Sequence, residues 1–530
     1  MIPQNLLSRT ARNVPNKIAY YCGERSWTWS EVHGRARRFA AAFRGIGAGT
    51  GDVIAILGQE SIEIYDHLLA CMHDGFVRVG INWRYSPVEV VHVLKDSGAR
   101  FLLVDGRCQA LFDAVTESAA ALGITTVGYG GARGCHHSYE SLLADDHMPS
   151  STERIEARSP LLITYTSGST GQPKGVIHTH GSVANIILQS VIGRGLAPDD
   201  IWYTAAASSW MTVLLNVQGI ANGMSHVIMD GAFEIGRFMR DLERHRATAV
   251  MLVPTLIARA IEETRKRAYD MRSVRLLMYG SAPATPELIR AAYDTFGCDL
   301  VQSYGMTEGG WITQLSERDH RRAIDGEPHL LKSVGRAGAM SEIAICESDG
   351  TSVPAGQSGE IWVRGELLMQ GYRNLPRETA EVFSNGWLKT NDIGRMDEQG
   401  YLYLQDRKNL LIITGAVNIF PSGVETVIRE HPDVADVVVV GAPHPEWGEA
   451  VVAVVQTRGT AEMAPADIIA FAGAKLSRME CPKHVLFVDE FPLTVNGKIN
   501  KVAVRSWVAE QKASLPWMEP AAPDRPNQAI

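Results

Sequence analysis

The sequence has no run of about 18 apolar residues, the length a membrane-spanning helix needs. Its first residues, Met1-Ile-Pro-Gln-Asn-Leu-Leu-Ser-Arg-Thr10, lack both a long apolar stretch and a small-residue cleavage site, so no secretory leader is expected. Its last three, Gln528-Ala529-Ile530, carry no peroxisomal or retention address. Cysteine is sparse: seven in 530 residues, with no Cys-x-x-Cys pair. That excludes a disulfide framework and a zinc knuckle, and points to reduced thiols in a cytoplasmic protein. Cys135-His136-His137 follows a Gly-rich stretch without spaced partners and reads as a solvated loop rather than a metal site. Excess positive charge is missing too. Lys and Arg number 51 against 59 Asp and Glu, a net charge of −8, so nothing electrostatic favours nucleic acid or an anionic membrane.

What is present is enough apolar material, 45% of the chain, for several cores, and a length that implies two to four domains or subdomains at roughly 100–200 residues each. Helical patterns alternate with short apolar runs from the start. Trp29-Ser30-Glu31 opens a helix through Phe43, with Ser30 as N-cap. Asp52–Leu57, Phe101–Val104, Ile124–Val127, Ala249–Val253 and Arg275–Tyr279 read as buried strands, and Ile62–Met72 as a helix. This rhythm predicts an α/β fold with a parallel sheet covered on both faces. From about residue 330 short strands (Ile343–Ile345, Gly359–Val363, Tyr401–Leu404) between Gly-rich turns predict an antiparallel barrel or sheet. Beyond Lys408 a helix near Val424–Glu430, strands at Val437–Val440 and Val451–Val455, a helix at Ala466–Leu476 and a strand at Val485–Val488 predict a compact α+β unit. Pro516 to Ile530, rich in Pro and Ala, is expected to be disordered.

The most informative segment is Thr166-Ser167-Gly168-Ser169-Thr170-Gly171-Gln172-Pro173-Lys174-Gly175, set between two apolar stretches. The glycines let the backbone turn tightly and bring amide N–H groups to an anion, the hydroxyls add donors, and Lys174 adds a charge. Those features describe a polyphosphate cradle. The G-x-x-x-x-G-K-[ST] spacing of a Walker A loop is absent.

This segment resembles the signature of the adenylate-forming enzymes: acyl-CoA synthetases, adenylation domains of nonribosomal peptide synthetases, and beetle luciferases. Ser303-Tyr304-Gly305-Met306-Thr307-Glu308, Gly359-Glu360, Thr390-Asn391-Asp392, Asp406-Arg407-Lys408 and Pro492-Leu493-Thr494-Val495-Asn496-Gly497-Lys498 resemble further motifs of that family, in its order. The resemblance implies a large N-terminal domain over residues 1–408, made of layered α/β subdomains and a β-barrel-like subdomain. A small mobile α+β domain over 409–515 and the tail 516–530 would follow. It implies ATP, Mg2+ and coenzyme A as co-substrates and cofactor, and a two-step activation of a carboxylic acid. Thr166, Ser167, Gly168, Ser169, Thr170, Gly171 and Lys174 would hold the β- and γ-phosphates. Thr307 would meet the α-phosphate and Glu308 the magnesium ion, with Lys498 bridging the substrate carboxylate and the α-phosphate. Gly280, Ser281, Ala282, Pro283 and Tyr304 would line the adenine pocket, Asp392 and Arg407 would meet the ribose, and Asn409 would be the interdomain hinge.

Several positions depart from the family pattern. Asn409 and Leu410 replace charged residues, Ala416 replaces a glycine, and Asn391 stands where glycine is usual, although Asn tolerates left-handed torsion. Ala205–Met211 lacks the histidine many relatives carry, leaving Trp210 as a wall of the acyl pocket or as core packing. Trp210, Met211, Val213, Leu214 and Trp311 are the acyl-pocket candidates. With no Asp or Lys among the pocket segments 210–219, 279–282 and 302–311 to pair with a charged substrate group, an apolar acid is expected: fatty, aryl or alicyclic. The alternatives are an acyl-AMP ligase that loads a carrier protein, a variant running one half-reaction with a partner enzyme, and a catalytically silent binding protein. A homodimer stays open.

Overall fold

The computed structural model describes residues 1–144, 154–166, 173–414, 417–459, 463–493, 499–511 and 515–517. The strand–helix rhythm divides between two sheets rather than building one. An eight-stranded sheet runs Gly371–Tyr372, Lys174–Thr179, Pro160–Thr166, Val77–Ile81, Val53–Leu57, Ala99–Asp105, Thr125–Tyr129, His137–Ser138. Its strands pair in parallel from Pro160–Thr166 onward, and Val53–Leu57 and Val77–Ile81 are buried along their whole length, which is why they read as unbroken apolar runs. A nine-stranded sheet runs Arg336–Ala337, Gly310–Leu315, Asp299–Met306, Leu276–Gly280, Ala249–Met251, Ile201–Thr204, Ser225–Ile228, Ile18–Cys22, Arg25–Thr28. The strand Ile18–Cys22, with its hairpin partner Arg25–Thr28, thus enters a sheet whose remaining strands come about two hundred residues later or more (Tyr20 pairs with His226), a placement no local pattern carries.

The largest core cluster holds Trp29, Phe39 and Phe43 from the helix Trp29–Gly45, and Tyr65, Leu68 and Leu69 from Ile62–Asp74. The first of these helices is capped by Thr28, not Ser30. Its hydroxyl accepts from the Glu31 N–H, and the Glu31 carboxylate accepts the Thr28 N–H at 2.7 Å, a reciprocal box that Ser30, two residues further on, does not make. The sheets are also tied through Ser208, which lies after the strand Ile201–Thr204. Its carbonyl accepts from buried Arg78 at 2.9 Å and its N–H donates to Glu60 at 2.6 Å. That clamp fixes the Ala205–Trp210 segment.

A third, open sheet of Glu342–Cys346, Ser358–Arg364, Trp387–Met396, Phe383–Ser384 and Leu402–Arg407 is antiparallel throughout. The chain then passes the short turn Lys408–Leu410 into a fourth sheet. There Val434–His444 and Gly448–Thr457 form a long antiparallel pair, and His484–Phe487 joins in parallel. The helices Pro421–Arg429 and Pro465–Gly473 supply Val424, Ile428, Ile468 and Ala472 to that core. The architecture is mixed α/β, a large N-terminal domain followed by a small C-terminal one. Of the tail expected to be disordered, Pro516 and Trp517 are described. The Trp517 indole donates to the Pro443 carbonyl at 2.9 Å and contacts His444 and His484, so packing extends past residue 515. Residues 518–530 lie outside the described residues. No helix among the described residues is long and apolar enough to cross a membrane.

Candidate active site

Thr166 ends one strand and Lys174 begins the next, and the two face each other in an antiparallel pair. The Ser/Thr/Gly segment is therefore the connection of a hairpin. Its members Ser167, Gly168, Ser169, Thr170 and Gly171 lie outside the described residues, while its base is defined. Lys174 sits with its ammonium 5.5 Å from the centre of the Tyr372 ring. Tyr372 belongs to a two-residue strand paired with Lys174–Thr179, opposite Val176, and its hydroxyl donates to Glu308 Oε1 at 3.0 Å. A cation, a phenol and a carboxylate thus join the hairpin base to the Thr307-Glu308 segment. Burial and the Glu308 carboxylate both hold the Tyr372 hydroxyl above its ordinary pKa, so it stays a donor.

The carbonyl of Thr307 is fixed from the same side. His178 is fully buried, with Nε2 2.6 Å from that carbonyl and Nδ1 3.2 Å from Ser182 Oγ. A carbonyl only accepts, so Nε2 carries the proton and Nδ1 accepts from the hydroxyl. Burial pulls the ring down to about 4, which keeps it neutral at physiological pH. Ser182 is in turn part of the capping box that starts the helix His180–Gly193. Neither Tyr372 nor His178 is among the site candidates that the sequence offers. Both follow from register: Tyr372 from an edge strand too short to show a pattern, His178 from alternation along Lys174–Thr179 that points it inward.

A second group gathers about Asp392. Tyr304 donates to its Oδ2 at 2.5 Å, and Arg407, opposite it on the neighbouring strand, reaches Oδ1 from Nε at 2.8 Å. Desolvation raises the Asp392 pKa, opposed by Arg407 and the Tyr304 hydrogen bond. Each carboxylate oxygen keeps a further acceptor position, as a pair of vicinal hydroxyls would require. Asn391 adopts φ +59°, the left-handed conformation that its side chain tolerates. Gly280 ends a strand directly opposite Ser303, and a Cβ there would lie 2.3 Å from the Ser303 carbonyl, so only glycine permits this spacing. Ser281 follows at φ +64° and is exposed, Ala282 is half-buried and Pro283 exposed. These residues sit at the C-terminal ends of parallel strands, the position where open α/β sheets place ligands.

The acyl-pocket candidates divide. Met211, Val213 and Leu214 are buried in the main core cluster, against which Trp311 packs. Trp210 is half-buried and turns to another cluster, edge-on to Tyr85 at 6.4 Å. Asn409 is exposed in the turn Lys408–Leu410, its carbonyl accepting from Arg505 at 3.3 Å. Lys498 lies outside the described residues. Its segment is bracketed by an antiparallel bridge from Leu493 to Ile499 and by the Asn500 N–H donating to the Pro492 carbonyl at 2.8 Å.

Comparison with known proteins shows the family. The AMP-binding enzyme family matches residues 7–373, and the AMP-binding enzyme C-terminal domain matches residues 423–498. The chain is 32% identical to an indoleacetate–CoA ligase of Aromatoleum aromaticum over 95% of this chain and 98% of the relative. It is 31% identical to a medium/long-chain fatty acid–CoA ligase of Mycobacterium tuberculosis, over 95% of this chain and 89% of the relative. The solved structure of the amide bond synthetase McbA from Marinactinospora thermotolerans is 29% identical and superposes with a TM-score of 0.84, covering 96% of this chain and 99% of that one. With both of its domains matched, the chain belongs to the AMP-binding enzyme family, within the adenylate-forming superfamily of AMP-forming acyl-CoA synthetases.

Proposed function

We propose that the protein activates a carboxylic acid with an apolar body, fatty, aryl or alicyclic, to its acyl adenylate and then transfers the acyl group to coenzyme A. The carboxylate oxygen attacks the α-phosphorus of ATP and pyrophosphate leaves. The thiol of coenzyme A then attacks the acyl carbon and AMP leaves. The observation that carries this reading is the line Lys174–Tyr372–Glu308, which sets a cation and a carboxylate at the base of a Ser/Thr/Gly hairpin. Two anions must meet in the first step, so donors and cations aimed at the phosphate oxygens matter most.

In this reading the hairpin and Lys174 hold the terminal phosphates, Thr307 meets the α-phosphate, and Asp392 with Arg407 holds the ribose. Gly280 to Pro283 and Tyr304 flank the adenine. Glu308 suits Mg2+, since one oxygen of a hard carboxylate is oriented by Tyr372 beside the hairpin base. When bound, the ion would neutralise charge on the phosphate oxygens. Lys498 screens the reacting oxygens, and Asn409, exposed between two sheets, is the pivot that lets the small domain change places between half-reactions. The relatives, named as ligases of indoleacetate and of medium- or long-chain fatty acids, support an apolar acyl body. A cytoplasmic setting fits seven free cysteines.

A panel of aryl, alicyclic and fatty acids tests this, with pyrophosphate, AMP and acyl-CoA followed separately. Release of AMP with formation of acyl-CoA is expected, and absence of AMP with every acid overturns the reading. The likeness to an amide bond synthetase favours one second reading, in which the adenylate passes to an amine. Pyrophosphate release that coenzyme A does not convert to thioester, but an amine converts to amide, would select it. Tyr372→Phe keeps the ring under Lys174 and removes one hydrogen bond to a carboxylate. A rise in the KM for ATP of about tenfold is expected, the equivalent of about 1.5 kcal/mol. An unchanged KM would show that Glu308 is oriented without the phenol.

A further inference from the structure

Arg194 follows the helix His180–Gly193 and is 3% exposed. No carboxylate among the described residues offsets its charge, and burial alone pushes the guanidinium down to about 9. Its partners are neutral: Nη1 donates to Ser190 Oγ and, at 3.3 Å, to Gln218 Oε1. The guanidinium carbon lies 5.1 Å from the centre of the Trp311 ring and 6.0 Å from that of Trp202. Around this cation four buried donors have no protein acceptor: Arg194 Nη2, Nε1 of Trp202 and of Trp311, and Nε2 of Gln218. Buried donors are normally paired, and a set of donors about one cation matches an anion.

A narrow cleft beside them is lined by Ser190, Arg194, Ser303, Trp311, Thr313 and Gln314. In the unliganded chain it has room for about one water-sized group. Ser303 and Trp311 flank the strand-and-turn segment that carries Tyr304, Thr307 and Glu308. The cleft therefore shares Ser303 and Trp311 with the two strands that lead into and out of the Thr307-Glu308 turn.

We propose that Arg194 sets substrate specificity: the acid activated here carries a second anionic oxygen group, foremost a carboxylate, at the end away from the reacting carboxyl. This rests on the acyl-activation reading and narrows its substrate. The apolar body packs along the pocket, and the distal carboxylate is received by the guanidinium, whose planar fork can donate twice to it, and by the neighbouring indole and amide donors. A purely apolar acid would leave the buried cation without a counter-charge. Arg194 stands outside the pocket segments 210–219, 279–282 and 302–311, which hold no Asp or Lys.

The test uses matched acids on the full chain: octanoate against octanedioate, and phenylpropionate against its para-carboxy analogue, with pyrophosphate release as the readout. At least about tenfold higher kcat/KM is expected for the better diacid over its monoacid partner, mostly through KM for the acid. Arg194→Met is expected to reverse that order and Arg194→Lys to keep part of it, with the KM for ATP unchanged in both. Equal or lower kcat/KM for the diacids in the unsubstituted protein overturns the proposal, whatever the variants do, while activity toward the monoacids leaves the acyl-activation reading standing. So does a diacid preference that survives Arg194→Met. Silence toward every acid, by contrast, overturns the acyl-activation reading, and this proposal with it.

Discussion

Lys498→Ala is expected to lower acid-dependent pyrophosphate release by at least about 100-fold, the scale on which removing one preorganised stabiliser of transition-state charge acts. The same variant is expected to convert supplied acyl adenylate and coenzyme A to thioester at close to the unsubstituted rate. The dissociation follows from where charge grows. In the first half-reaction negative charge accumulates on oxygens shared by the carboxylate and the α-phosphate, and a flexible ammonium can follow both. In the second, on the proposed reading, the thiol of coenzyme A attacks a mixed anhydride and AMP departs, with the small domain turned about Asn409. The bridge from Leu493 to Ile499 closes the segment, and Lys501 beside it pairs with both oxygens of buried Glu425 at 2.7 and 2.8 Å. The chain that follows the segment is thus tied to the helix Pro421–Arg429. Pyrophosphate release and thioester formation measured separately check it. Equal loss in both steps, or in neither, removes Lys498 from the role assigned to it.

How far the sequence reaches can be judged element by element. The strand at Val53–Leu57 and the helix at Ile62–Asp74 are legible within a residue or two, because full burial gives an unbroken apolar run and a helix gives its own period. Asn391 is legible as a left-handed position, and the hairpin base as a strand pair around a Gly/Ser/Thr turn. The division into two sheets is not legible, since Ile18–Cys22 pairs with Ser225–Ile228 and carries no mark of that partner. Nor is the support beneath the site. Thr307 is held by His178 and Glu308 by Tyr372, contacts that span 129 and 64 positions. Arg194 escapes for a different reason. An arginine at the end of a helix ordinarily complements the helix dipole in solvent, and only packing against Trp202 and Trp311 reveals that this one is buried.

Acidification from about pH 6.5 to about pH 4 is expected to destabilise the fold steeply, with His178 alone contributing about 3 kcal/mol of that loss. Its folded pKa is about 4, below the ordinary 6.5. Between those values the unfolded chain binds a proton that the folded chain refuses, so stability is complete above about 6.5 and drains away as pH falls toward 4. The cause is local. Nε2 must keep its proton for the Thr307 carbonyl, and Nδ1 accepts from Ser182, so a second proton would displace that hydroxyl's hydrogen bond. His180, His320 and His226, also buried and also depressed, to about 4, 4 and 3, add loss of the same sign. His178→Gln keeps an N–H donor toward Thr307 without a titrating ring. Urea unfolding across this pH range should show the variant losing about 3 kcal/mol less than the unsubstituted chain. Profiles that fall in parallel would mean that the His178 ring is already charged in the fold. The Thr307 carbonyl, and with it the segment proposed to meet the α-phosphate, would then be held by an imidazolium rather than a neutral donor.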